Sequence, residues 1–107
     1  MKIIRNRFIP FKGFSAINLF GVLFCRYDST ITDTTINHEM IHTAQMKEVW
    51  YIPFYILYFI EYIKNLLKYK SRKIAYRKIC FEREAYAHDR NFEYLSTRKK
   101  FAWIHYR

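Results

Sequence analysis

Asn37-His38-Glu39-Met40-Ile41-His42 is the stretch on which the reading of this chain turns. Four residues make slightly more than one helical turn, so on a helix His38 and His42 project from one face. Two imidazoles so placed can each give one nitrogen to a single zinc ion, and Glu39, beside the first, falls where a carboxylate accepts a proton from metal-bound water. A helix start lies just upstream. Asp28 to Asp33 carries turn and cap chemistry, with Thr32 or Asp33 as the N-cap. The predicted helix runs from about Asp33 to Trp50, with Ile36, Met40, Ile41, Ala44 and Val49 toward a core and the two histidines toward a cleft.

On the N-terminal side, residues 2–11 mix Ile3, Ile4, Phe8, Ile9 and Phe11 with basic residues, and Pro10 limits them to an edge strand or an extended arm. After Gly13, the β-branched and aromatic run from Ile17 to Tyr27 is the best strand candidate, with Gly21 as a bulge or point of close approach. On the C-terminal side, Pro53 closes the motif helix and suits the first turn of the next, from about Pro53 to Tyr69. A third helix is expected from about Arg72 to Leu95. Val49 to Ile60 contains no charged residue in 12 positions, short of the roughly 20 needed to span a bilayer. Two readings of it stand: a buried core helix, or an interfacial helix touching lipid, where Trp50, Tyr51 and the neighbouring tyrosines would sit at headgroup level.

With 107 residues, 51% of them hydrophobic and 21% aromatic, and only two glycines and two prolines, the chain fits one domain, 1–107, with one modest core. The net charge is +10. Lys64, Lys68, Lys70, Arg72, Lys73, Arg77, Lys78 and Arg83 fall in one stretch, a density that attracts an anionic membrane surface or forms a solvated basic face. Nucleic acid is disfavoured as a partner, because no binding motif accompanies the run and the aromatics lie in apolar segments rather than among the lysines. Cys25 and Cys80 give neither a disulfide framework nor a C-x-x-C metal signature, and both read as reduced and semi-buried. The N-terminus has basic residues but no apolar stretch of signal-peptide length, so the expected location is cytoplasmic, peripheral to the inner face of the membrane.

The third predicted helix contains Cys80-Phe81-Glu82-Arg83-Glu84-Ala85-Tyr86-Ala87-His88-Asp89. His38-Glu39-x-x-His42 followed by this Glu-x-Glu-Ala segment resembles the gluzincin branch of the zinc metallopeptidases. The resemblance implies a small α+β domain of zincin type, with two or three N-terminal strands and three principal helices. It implies Zn2+ held by His38, His42 and Glu82, with Glu39 as general base for cleavage of a peptide or protein substrate. An extended substrate would be held along the edge of strand 17–27. Where the family often has an aspartate orienting a metal-bound histidine, this chain has Tyr86, and Asp89 one turn on is the substitute. Gln45 matches an H-E-x-x-H-x-x-Q variant of small zincin-like domains, and from the residues alone it reads equally as an exposed helix glutamine. The metzincin branch needs glycine at position 45 and histidine at 48, where this chain has Gln45 and Glu48.

Three acids compete for the third ligand position. Glu48, six residues past His42, is rotated by about 600° along the helix and falls off the histidine face. Glu82 and Glu84 stand about 200° apart on their helix, so only one can face the metal; the resemblance places Glu82 there. For the oxyanion donor, His88, Tyr86, His105 and Tyr106 are all open. A different class of function also stands beside the hydrolase: a metal-binding or membrane-associated module of the same fold without turnover.

Overall fold

The computed structural model describes residues 1–8 and 16–107; Ile9, Pro10, Phe11 and Gly13, read above as arm and turn residues, lie outside them. The run from Ile17 to Tyr27 is not one strand. Phe20 and Gly21 take φ of 54° and 90°, the paired positive values of a two-residue hairpin turn. The run therefore folds back on itself as β2 (Ala16–Leu19) and β3 (Val22–Arg26), with Leu19 opposite Val22. Gly21 belongs to this turn and also to a close approach, since a Cβ there would meet Thr43 Cγ2 at 3.3 Å. β1 (Lys2–Asn6) pairs parallel with the other side of β3, so among the described residues the mixed sheet has the order β1-β3-β2 with β2 at one edge. Leu23 and Cys25 alternate inward from β3 and are fully buried.

Thr32 caps α1 (Asp33–Glu48) by accepting the Thr35 N–H at 3.1 Å. The helix ends two residues short of Trp50. Its inner face also differs from expectation: Ile41, Gln45 and Met46 are buried, whereas Met40 is 39% exposed. Asn18 fastens β2 to this helix. Its Nδ2 donates to the Glu39 carbonyl at 2.9 Å and to Thr43 Oγ1 at 3.1 Å, while its Oδ1 accepts the Gly21 N–H at 3.0 Å. One buried amide thus sets the hairpin turn and the distance between the sheet edge and the motif.

A sharp corner follows α1. Trp50 and Tyr51 both hold positive φ, 64° and 58°, a conformation that costs a non-glycine residue about 1–3 kcal/mol. The Tyr51 N–H donates to the Met46 carbonyl at 2.8 Å, and the chain turns directly into α2 (Ile52–Tyr69), with Pro53 in its first turn. α2 gives the core Phe54, packed with Met46, Ile79, Cys80 and Phe81. The uncharged Val49–Ile60 run is not the buried core helix that its composition allows. Ile52, Ile56, Phe59 and Ile60 all point to solvent.

The single third helix expected over 72–95 is instead α3 (Arg72–Arg77), α4 (Cys80–His88) and α5 (Tyr94–Thr97). Two side chains from elsewhere make the breaks. The Glu61 carboxylate of α2 accepts both the Cys80 backbone N–H and the Cys80 thiol, so α4 restarts on an acid from another helix. At the other end, Asn37 Nδ2 donates to the carbonyls of Asp89 at 2.8 Å, Asn91 at 3.2 Å and His88 at 3.4 Å. The His88 and Asn91 carbonyls also accept the backbone N–H groups of Asn91 and Tyr94, so Asn37 braces the turn that ends the helix. A 3₁₀ helix at Ala102–Tyr106 then folds back on α4. The domain is α+β, and among the described residues its three strands lie at the N-terminus. Cys25 and Cys80 are buried free thiols. Among the described residues, no helix is long and apolar enough to cross a membrane.

Gly21→Ala should destabilise the fold by about 1–2 kcal/mol, because it puts a Cβ at positive φ and against Thr43. Gly21→Asn should cost less, since asparagine tolerates that region. The urea midpoints of the two variants give the comparison; an alanine variant as stable as the parent would contradict the turn assignment.

Candidate metal centre

α1 presents His38 and His42 on one face, as the four-residue spacing requires. Their rings lie 4.8 Å apart, and their Nε2 atoms approach to 3.1 Å. The break before α4 turns Glu82 into the same spot. Its Oε1 stands 3.0 Å from His38 Nε2 and 3.1 Å from His42 Nε2, and all three side chains are buried. His38, Glu39 and His42 also form a group that could hold a metal ion, one ligand atom from each lying within 4.8 Å of the others.

The protons decide what the triangle needs. Gln45 Nε2 donates to the Phe81 carbonyl and to Glu84 Oε1, both at 3.0 Å. Its Oε1 therefore faces His42 Nδ1, at 2.7 Å, and that ring nitrogen must carry the proton. Asp89 Oδ2, 3.0 Å from His38 Nδ1, fixes the second ring in the same tautomer. Tyr58 donates its hydroxyl to Glu82 Oε2 at 2.6 Å, leaving Oε1 to the histidines. With both rings neutral, three lone pairs converge on one point with no hydrogen among them. A single added proton bridges only one pair, and protonating both rings sets two N–H donors 3.1 Å apart. A cation bound by all three resolves the conflict. Ligands about 2.0–2.1 Å from a tetrahedral ion stand roughly 3.3–3.4 Å apart, close to the 3.0–3.1 Å seen here.

The electrostatics show that the site attracts positive charge, a proton or a metal ion alike. Burial opposes the charge on Glu82, but the two histidines hold its carboxyl well below the usual range. Burial likewise pulls His42 down, yet the Glu82 carboxylate outweighs it and raises the imidazole to about 9. Glu39 is pushed up, chiefly by burial, with the histidines opposing. It lines, together with the triangle, a cleft of about 810 Å³. Ile17 and Asn18 of β2 form one wall of the cleft, and Tyr55 and Tyr58 of α2 and Tyr76 and Tyr86 on α3 and α4 form others.

Of the residues singled out in the sequence, the fold brings His38, His42, Glu39, Glu82, Asp89 and Tyr86 to the cleft. Gln45 is fully buried behind His42 rather than exposed. Glu84 points away from the histidines, as its place on the helix requires, and is itself fully buried. It receives Gln45, the Tyr94 hydroxyl at 2.6 Å and Arg98 Nε at 2.6 Å. Arg98 also makes a two-pronged contact with Glu48, Nη1 to Oε2 and Nη2 to Oε1, each 3.0 Å. Burial would raise Glu84, but hydrogen bonds from Arg98, Tyr94 and Gln45 hold it low. His88 and Tyr106 are not cleft residues. They bond each other at 2.6 Å, and His88 stacks on Tyr94 at 3.8 Å. His105 likewise does not line the cleft.

Tyr58, Asn18, Asn37 and Arg98 carry much of this arrangement without having been singled out. Tyr58 had a usable signal, one turn beyond Phe54 on the face of α2 that enters the core. Arg98 had none, since its partner Glu48 lies fifty residues away. Comparison of the chain with known protein families, curated proteins and solved structures gives no match.

Arg98→Met should cost about 3–5 kcal/mol, because it leaves two buried carboxylates without their counter-charge. Glu48→Gln should cost much less, as Arg98 keeps Glu84. Denaturant melts of the two variants check this; a near-neutral Arg98→Met would mean that the pair is solvated.

Proposed function

We propose that this chain is a zinc-dependent hydrolase of metallopeptidase type that cleaves peptide or amide bonds. The observation that carries the reading is the convergence of three bare acceptors, His38 Nε2, His42 Nε2 and Glu82 Oε1, beside a carboxylate in an open cleft. Two imidazoles and one carboxylate, with a side left open, are the donor set of a catalytic zinc site. Zinc there would supply Lewis acidity and bring the pKa of a bound water toward about 7.

The remaining work falls to the chain itself. Gln45 and Asp89 keep both rings aimed, and Tyr58 keeps Glu82 from rotating. Glu39, whose pKa is raised by burial, accepts the proton from the attacking water and delivers it to the departing amine. The paired hydroxyls of Tyr76 and Tyr86, 2.8 Å apart on the cleft wall, supply donors for negative charge developing on the substrate carbonyl oxygen. Tyr86 is also held by its ring, whose centroid lies 4.5 Å from that of His38 and 3.8 Å from the Arg77 guanidinium carbon.

β2 gives the cleft a backbone to pair with. Leu19 and Val22 close the hairpin, so by antiparallel alternation Asn18 and Ala16 turn their N–H and C=O groups away from β3. The Asn18 carbonyl already accepts the Tyr55 hydroxyl at 3.0 Å. A substrate strand therefore pairs only toward Ala16, which suits a short extended segment.

Zinc loading followed by dialysis should leave about one ion per chain, and stripping it should lower the melting temperature. Glu82→Gln should weaken zinc affinity roughly 10–100-fold. Glu39→Gln should keep the metal and abolish hydrolysis, while Glu84→Gln should lower stability with the metal stoichiometry intact. Metal content near zero after loading would end the metalloprotein reading. Full metal with no hydrolysis in the parent chain would instead assign the centre to binding without turnover.

A further inference from the structure

α2 has two apolar faces, and only one of them enters the core. At about 100° per residue, Phe54, Tyr55, Tyr58, Tyr62, Asn65 and Leu66 share roughly 120° of arc, facing the cleft and the core. On a separate arc of about 100° lie Ile52, Ile56, Phe59, Ile60, Ile63 and Leu67. All six are exposed, and all but Ile63 are more than half exposed. Fifteen residues separate the first from the last, so the stripe is about 22 Å long. Trp50, 82% exposed, stands at its head on the strained corner before α2.

Charge around the stripe has one sign. Between positions 49 and 81 there are seven basic residues and a single acid, Glu61. That acid is turned inward onto Cys80, so the exposed charges of α2 and α3 are all positive. Lys64 and Lys68 flank the stripe on α2, and Lys70, Arg72 and Lys73 continue from its far end, all of them exposed.

We propose that the outer face of α2, with the basic corner that follows it, is a docking surface for an anionic lipid bilayer. Isoleucine, leucine and phenylalanine would enter the acyl boundary along the length of the helix, with Trp50 at headgroup depth at one end and the lysines reaching lipid phosphates from the flank and the other end. The helix is too short and too charged to cross, so it lies in the plane of the surface. Nucleic acid would meet the lysines but leave the apolar stripe in water. A second copy of this face would offer no carboxylate to the lysines. The proposal rests on α2 and α3 alone and holds whether or not the metal centre turns over.

Full-length protein should float with vesicles of phosphatidylcholine and phosphatidylserine, and at least about tenfold less with phosphatidylcholine alone. Raising the salt should weaken the binding. Trp50 emission should shift to the blue on binding, and the shift should vanish in Trp50→Phe. The triple change Ile56→Ser, Phe59→Ser, Ile60→Ser removes only exposed side chains and should lower vesicle binding roughly tenfold or more with circular dichroism unchanged. Lys64→Gln with Lys68→Gln and Lys70→Gln should abolish the preference for phosphatidylserine, and it keeps the test intact if the serine variant fails to fold. Equal binding to both vesicle types, or serine and glutamine variants that bind as the parent does, would overturn the proposal. So would a dimer that the serine changes split, which would assign the stripe to a second copy. Tight binding to duplex nucleic acid that displaces the vesicles would overturn it in favour of that partner.

Discussion

Three hydrogen-bond acceptors pressed together in a buried site are the constraint from which the rest of this structure follows. Acceptors that converge on one point repel unless each is held by a hydrogen bond on its far side and a positive charge lies between them. Several features of the fold supply those requirements. Gln45, Asp89 and Tyr58 stand behind the three groups. The break at Ile79, capped by Glu61, lets α4 approach at the angle that brings Glu82 in, and Asn37 stops the same helix where Asp89 must meet His38. Behind Gln45 the demand passes outward through Glu84 to Arg98 and Glu48, until the last charge is matched.

The same chain of demands explains which parts could be seen in the sequence. His38, His42 and Glu39 were legible because a helix fixes their relation over four residues, and the Thr32 cap because it acts over three. Glu82 in place of Glu84 followed from helix rotation together with family resemblance. The broken third helix was not legible. Its breaks are made by Glu61 and Asn37, 19 and 52 residues away from the backbone groups they bind, and no local propensity records them. The hairpin was missed for another reason. Phe20 is a poor residue for positive φ, and its apolar side chain continued the strand pattern through the turn.

α2 shows how composition misleads when a helix serves two environments. An uncharged aromatic run reads as core, and half of its circumference is core. The other half faces away from every described element. Because the two arcs interleave at helical spacing, mean hydropathy cannot separate them; only the angle between them can. The tyrosines took the inner arc, where Tyr55 and Tyr58 find the Asn18 carbonyl and the Glu82 carboxylate for their hydroxyls. The outer arc kept only side chains with nothing to donate.

The separation of the ligands along the chain also has a consequence in time. His38 and His42 meet within a single helical turn and can share an ion as soon as α1 coils. Glu82 joins them from about forty residues away, and Asp89 reaches His38 across 51. Contacts of that span form late, after the loop between them has closed. On the proposed metal reading, a folding chain would carry a weak two-histidine site first and gain its third ligand only when α4 docks. An ion captured early would favour the docked state over the open one, tying completion of the domain to the supply of metal.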